Sequence, residues 1–522
     1  MRKEVEAIDG KSKEIILKSD HRIAITADTW TSVNANCSLL AITAHTAQSG
    51  FEERSNIVLD CVSLEDGSHT AAVLEEKIRR SLSRLEIDMS KVSFFVADGA
   101  TVMKSTAMNL NLKYVQCCAH VINLAAKAAI ESECVKQTVQ KVRKIVAKLN
   151  RSGKIKSLFK RLLQEANLPQ VLPYTDCPTR WGSTYTMICD VLSLLPAVEN
   201  LIIHLKLQPF EKEEIRLLEA IEAFMAPFFT MTKQVCSQGS CVSMYIPVGK
   251  ILIASTRKNC NSAKRDARQF GDTLLSKLRN YFDDWFEDET LQLASLMDPR
   301  FAFMETVLPS ETWTKTIEKL NRLNVSKAVE ELEVQCSQEC QSFCKETPVW
   351  AVLNEGQETS VANLTTKEDD FEIEIKQYAI LLKRARPTFD SDPLEWWRSH
   401  HAEFPQIAAI VPQYLVCPAS SVDCERLFSL AGIIYGNKRR SNLKGDNARL
   451  LLMLKTRGNV EVGRPSKAWS PAEARRYGNP PKMSDVFGSE EDASSSEDES
   501  TYASDEDEDE VEQEEEEPAY LE

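Results

Sequence analysis

No apolar run in this 522-residue chain approaches the ~20 residues needed to cross a bilayer, and the opening Met1-Arg-Lys-Glu-Val-Glu lacks a signal-peptide core. No membrane partner is expected, and the chain reads as soluble and intracellular. None of the 15 cysteines forms a Cys-x-x-Cys pair, which removes the commonest zinc and redox motifs and fits reduced cytosolic or nuclear thiols. Cys336, Cys340 and Cys344 stand four apart without neighbouring histidines; they read as small buried hydrophobes, and no structural zinc is expected. Lysine and arginine are missing after Lys482, where 19 of the 78 acids lie, so the formal charge of −15 misleads. Residues 1–482 carry 59 acids against 63 bases, a mildly basic body that permits nucleic-acid binding.

Short apolar runs are plentiful near the start. Residues 21–30 read as a buried strand ending in an acid, Asp28, with 38–45 as its hairpin partner and 53–62 as a third strand. Thr70 to Ile87 has helical periodicity, with Val73, Leu74, Ile78, Leu82 and Leu85 on one face. Lys91 to Gly99 is almost wholly apolar before Asp98, as in a central strand covered on both sides. Tyr114 to Cys117 supplies another strand, followed by a helix over 119–130. The order strand, strand, strand, helix, strand, helix, strand is that of an RNase H-like α/β fold. If the strands bearing Asp28 and Asp98 are parallel neighbours, their backbones lie ~4.8 Å apart and the two carboxylates share one small volume. Either acid alone reads better as an ordinary turn former after a strand.

Beyond 130 the strand signals fade. Segments around 138–165, 190–206, 211–236, 242–257, 271–288, 312–335 and 369–385 read as helices, and 345–368 as a polar, flexible excursion. The expected organisation is an N-terminal lead (1–20), the first part of the core (21–184) and a large all-helical insertion (185–390). A C-terminal region with the closing helix (391–457), a linker (458–488) and a disordered acidic tail (489–522) follow. The closing helix follows Pro418 and bears Glu425 beside Leu427, Phe428, Ala431 and Ile434 at helical spacing. Ser420 with Asp423 three residues on suggests a capping box, and Glu425 alone suits a solvated face.

Several blocks resemble the hAT superfamily of transposases and their domesticated zinc-finger BED-domain relatives. They are Thr26-Ala-Asp28-Thr-Trp30, Val96-Ala-Asp98-Gly99, Cys117-Cys-Ala-His120, Thr179-Arg180-Trp181-Gly-Ser183, Asp298-Pro-Arg300-Phe301 and Glu425-Arg-Leu-Phe-Ser429. The resemblance implies a DDE site in which Asp28, Asp98 and Glu425 hold Mg²⁺ or Mn²⁺, if the protein is catalytically active. Phosphodiester chemistry with two metals requires such hard oxygen ligands. The resemblance also implies DNA contacts by Arg180 and by Trp181, on which a flipped base stacks; a core tryptophan is the alternative. His120 reads as a phosphate contact or a packed histidine. Lys438, Arg439 and Arg440 form a basic cluster for which the acidic tail would compete with DNA.

The resemblance further implies homodimerisation through residues 391–457, with Trp396, Trp397, Phe404, Leu450, Leu451 and Leu454 as contacts. The same side chains could instead pack onto the helical insertion. No Cys/His quartet precedes Asp28, so the family's BED finger is not matched. The expectation is a nuclear, transposase-derived protein that dimerises and binds DNA in a regulatory or structural role. The alternative is an active metal-dependent DNA transposase.

Overall fold

The computed structural model describes residues 1–19, 21–32, 37–51, 54–64, 69–177, 180–323, 362–435, 443 and 445–456. The cysteine trio, the Lys438–Arg440 cluster, the linker and the acidic tail lie outside the described residues. The fold is mixed α/β, built on a five-stranded mixed sheet. Strands β1 (Ile23–Ser32), β2 (Cys37–Ala47) and β3 (Arg54–Ser63) form an antiparallel meander, while β4 (Val92–Ala97) and β5 (Lys113–Gln116) add in parallel on the other side of β1. The spatial order is β3-β2-β1-β4-β5.

Alternation along β1 sends its residues to two different cores. Ile23, Ile25 and Ala27 join Leu40, Ile42 and Phe95 under the helices α2 (Ala71–Arg84) and α3 (Thr101–Asn109). Helix α2 begins where Thr70 Oγ1 accepts the Val73 N–H, and it buries Leu74, Ile78 and Leu82. The segment read as a lead is largely helix α1 (Arg2–Lys18), which buries Val5 and Ile16 against the sheet's two cores.

The opposite face of the sheet takes α4 (Cys118–Ile130) and the helical mass that follows. The 138–165 segment is two helices, α5 (Glu133–Arg151) and α6 (Gly153–Glu165), because the Ser152 hydroxyl caps α6 by accepting the Ile155 N–H. The 190–206 segment likewise resolves into α7 (Trp181–Ser193) and α8 (Leu195–His204), with Pro196 in the first turn of α8. Then come α9 (Lys212–Val235), α10 (Tyr245–Ser262), α11 (Arg265–Phe286) and α12 (Glu289–Met297). Gly249 permits the α10–α11 approach, since a Cβ there would meet the Phe282 ring at 2.5 Å. These helices and the sheet face share one continuous apolar cluster running from Ala24 to Ala419.

Helix α13 (Ala362–Arg384) starts earlier than the sequence suggests and takes in the end of the stretch read as flexible. It is followed by α14 (Pro393–His400), α15 (Pro405–Ala408), α16 (Val411–Leu415), α17 (Val422–Tyr435) and α18 (Gly445–Thr456). Helices α17 and α18 lie on β1, β2 and β3, burying Cys424, Leu427, Phe428, Ala431, Ile434, Leu452 and Met453 with Leu39, Ala41 and Val58. Each large side chain buried there contributes about 1.5–3 kcal/mol. Among the described residues no single helix is long and apolar enough to cross a membrane.

Candidate acidic site at the sheet's end

Thr26 pairs with Val96 across the parallel β1–β4 ladder. Asp28 and Asp98 each stand two residues further on, at one level and on adjacent chains. Next to Asp98, a Cβ at Gly99 would meet the end of the Gln116 side chain at 2.5 Å, so any larger residue there would have to displace that amide. The Asp98 side chain accepts the Ala100 N–H at 3.2 Å, and its carbonyl accepts the Tyr114 hydroxyl.

The third acid is brought in by α17. Thr26, Asp28 and Trp30 project from the same face of β1. Thr26 Oγ1 lies 3.3 Å from Cys424 Sγ, and Trp30 stacks on Phe428 with ring centroids 6.1 Å apart and planes at 16°. Asp28 falls between these two anchors, and Glu425 falls between Cys424 and Phe428. The chain leading into α17 is tied down separately: Cys118 N–H donates to the Ala419 carbonyl at 3.0 Å, and the Tyr245 hydroxyl bridges the Gln116 and Ala419 carbonyls at 2.6 and 3.0 Å. Ser420 does not cap α17; its hydroxyl donates to the Val235 carbonyl at 3.0 Å, and Asp423 instead pairs with Arg426.

Electrostatics shows that the three acids share one field. Burial, then the negative charges of Asp98 and Glu425, hold the Asp28 carboxyl well above the usual carboxylate range, against the opposing Thr29 N–H at 2.7 Å. Glu425 presents an exposed surface yet stands in a protein-crowded mouth that raises its pKa, partly offset by Arg180 and Arg426. His120 is held below the ordinary imidazole value by burial, which Asp98 opposes. The structure thus gathers Asp28, Asp98, Glu425, His120 and Arg180. Among the described residues no three His, Cys, Asp or Glu side chains already converge as a metal cluster.

Trp181 is elsewhere. It is 4% exposed and packs edge-on against Phe228 and Phe229 and beside Tyr185. The exposed aromatic of the chain approaching Arg180 is Tyr174, at 53%. Trp397 and Phe404 are buried inside their own chain, with Trp397 Nε1 donating to the Met297 carbonyl at 2.8 Å, whereas Trp396, Leu450, Leu451 and Leu454 are half-buried. Sequence reasoning missed Thr26, Cys424 and Tyr245. The two-residue spacing of Thr26 and Asp28 was a usable signal; nothing in the sequence marked Tyr245.

Two segments match described families: residues 115–219 the ZBED1 RNase-like helical domain, and residues 374–457 the hAT family C-terminal dimerisation region. Among curated proteins the chain is 23% identical over 377 residues to human Zinc finger BED domain-containing protein 4, covering 70% of this chain and 31% of that protein. It is 22% identical over 480 residues to the protein named "Putative AC transposase" from Zea mays, covering 84% and 57%. A fungal relative, "Putative transcriptional regulator tpeD" from Talaromyces stipitatus, is 23% identical over 516 residues, covering 87% and 56%. The chain spans between about a third and just over half of these relatives. Residues 374–457 thus resemble the hAT family C-terminal dimerisation region, and the relatives matched along the rest of the chain include a protein named as a transposase.

Proposed function

We propose that this chain is a nuclear, DNA-binding member of its family that self-associates through its C-terminal region and keeps an RNase H-like acidic site. Nuclear residence and DNA binding are inferred from relatives named as a zinc-finger protein, a transcriptional regulator and a transposase. The regulatory or structural reading rests on the same names. One observation favours the second reading, metal-dependent cleavage and joining of DNA strands: Thr26 and Trp30 dock on Cys424 and Phe428 and so set Asp28 beside Glu425.

The donor set suits a hard divalent cation. It consists of carboxylates, of which Asp28 is raised by burial and then by the negative charges of Asp98 and Glu425, and a cation would offset both effects. Asp28, Asp98 and Glu425 would hold Mg²⁺ or Mn²⁺, which when bound activates an attacking oxygen and stabilises the leaving one. The chain's own groups have separate tasks. Thr29 N–H fixes one Asp28 oxygen, and Ala100 N–H orients Asp98. Arg180, exposed at the start of α7, is placed to meet a phosphate beside Glu425. His120, kept neutral by burial, is a hydrogen-bonding partner for that phosphate. A self-association surface would draw on Trp396, Leu450, Leu451 and Leu454, since Trp397 and Phe404 are used within the chain.

The test is Mn²⁺-dependent nicking of supercoiled DNA by the purified protein beside Asp98→Asn, with mass measured by light scattering. Cleavage by the wild type alone supports the enzyme reading. Two chains per particle, DNA binding and no cleavage support the regulator. A monomer that binds no DNA sinks both.

A further inference from the structure

Helices α5 and α6 carry a charge imbalance that the acidic site does not use. Between Glu133 and Glu165 there are ten Lys or Arg residues and only those two acids. Four of the ten have acid partners: Lys136 with Glu133, Lys141 with Glu214, Arg143 with Asp176, and Arg161 with Glu165. Lys144, Lys148 and Arg151 are exposed at i, i+4 and i+7, one face of α5, and Lys154 follows across the Ser152 break. None of these four has an acid partner among the described residues. Their rises along α5 are ~6 and ~4.5 Å, one to two phosphate steps of a strand at ~3.4 Å each.

The position of this face matters as much as its charge. Asn150, in the last turn of α5, donates to the Pro173 carbonyl at 3.1 Å and to Thr175 Oγ1 at 2.7 Å. Arg143, one turn and more earlier, holds Asp176 at 2.7 Å. The segment from 173 to 176 is therefore strapped along α5, and four residues later the chain reaches Arg180, which faces Glu425.

We propose that Lys144, Lys148, Arg151 and Lys154 form a sequence-independent binding face for the DNA phosphate backbone, guiding duplex flanking the acidic site along α5. The inference rests on the DNA-binding reading above. An acidic protein would also be attracted to such charge, but the phosphate-scale spacing and the strap leading to Arg180 favour DNA.

The experiment is fluorescence anisotropy with a labelled duplex of arbitrary sequence, titrated across salt, on the full chain. It compares wild type, the four-fold alanine variant (Lys144→Ala, Lys148→Ala, Arg151→Ala, Lys154→Ala) and a charge-keeping variant (Lys144→Arg, Lys148→Arg, Arg151→Lys, Lys154→Arg). Exposed helix positions tolerate alanine, and circular dichroism checks the fold. The alanine variant should bind more weakly on every sequence, with the slope of log K against log salt shallower by about 3.6, at ~0.9 per lost phosphate contact. The charge-keeping variant should retain the wild-type slope. An unchanged slope in the alanine variant while the wild type binds overturns this face alone. A wild type that binds no duplex at low salt overturns the DNA-binding reading, and this face with it.

Discussion

Replacing Asp298 with alanine should cost more stability than almost any other single change, because of what it leaves behind. Asp298 ends α12 with its side chain 0% exposed, and Arg300 is 4% exposed. Arg300 donates to both Asp298 oxygens, Nε at 2.9 Å and Nη2 at 2.6 Å, and the Ser243 hydroxyl donates to Asp298 Oδ2 at 2.6 Å. Arg300 Nη1 then reaches the Ser391 carbonyl at 2.9 Å, just ahead of α14. Burial alone would lower the guanidinium pKa; Asp298 more than compensates and raises it. Without Asp298 the guanidinium cannot shed its proton and stays buried without its counter-charge. Breaking such a pair costs about 3–5 kcal/mol, a fifth or more of a total of roughly 5–15 kcal/mol. Arg300→Met should cost a similar amount by stranding the carboxylate. Asp298→Leu with Arg300→Met strands no charge, so it should cost less than the two single changes together, with a coupling of ~2 kcal/mol or more. The assay is equilibrium urea unfolding followed by tryptophan fluorescence, for which Trp397 on the Met297 carbonyl is a nearby reporter. Single changes worth less than ~1 kcal/mol, or a strictly additive double change, would refute the reasoning.

Two further outcomes follow from buried groups. His45 is held neutral by burial, against Asp423 and the Asn56 hydrogen bond at 2.9 Å, with Arg54 also disfavouring its charge. Its folded pKa lies below the unfolded ~6.5, so the unfolded chain takes up the proton first. Its contribution is intact above pH ~6.5 and is lost as pH falls toward the folded pKa, by at most ~1.4 kcal/mol per unit. Thermal unfolding between pH 5 and 7.5 should show this fall, and His45→Gln should flatten it. Trp397→Ala should lower stability by about 3–5 kcal/mol without creating monomers of folded protein. Leu454→Lys, at a half-buried position packed against the cluster under α17 and α18, should shift the light-scattering mass toward one chain and cost less stability than Trp397→Ala.

Only one of the two acids ends its strand: Asp98 lies just past β4, whereas β1 runs on four residues beyond Asp28 to Ser32 because its β2 pairing continues there. Period-two alternation and the parallel pairing of β1 with β4 still bring the two acids to one level. Glu425 was legible through its resemblance to a family block, not from local pattern, which fits a solvated helix face equally well. The anchors that place it depend on pairs 398 residues apart in sequence, Thr26 with Cys424 and Trp30 with Phe428. No local period encodes such a pairing. Helix breaks were misread where the signal was a single hydroxyl, as at Ser152, and the capping box at Ser420 failed because its hydroxyl was claimed by Val235. Trp181 shows the limit of a motif, which carries a residue's identity without its burial.

The region matched to the hAT dimerisation segment, residues 374–457, is also built into the fold of its own chain. Glu374 near its start accepts the Ile407 N–H at 2.7 Å and steadies α15. Trp397 fills the helical core, Cys424 and Phe428 place Glu425, and Arg449 on α18 pairs with buried Asp60 of β3 at 2.5 Å. The segment matched to a dimerisation region therefore also closes the sheet and brings up Glu425. Loss of self-association and loss of the site are then coupled for any change that loosens α17 or α18. Trp396 packs against the helical core, and Leu450, Leu451 and Leu454 against the cluster that holds Cys424 and Phe428, so variants there need stability and mass read together, while variants at the buried Trp397, Phe404 and Phe428 report on the fold alone.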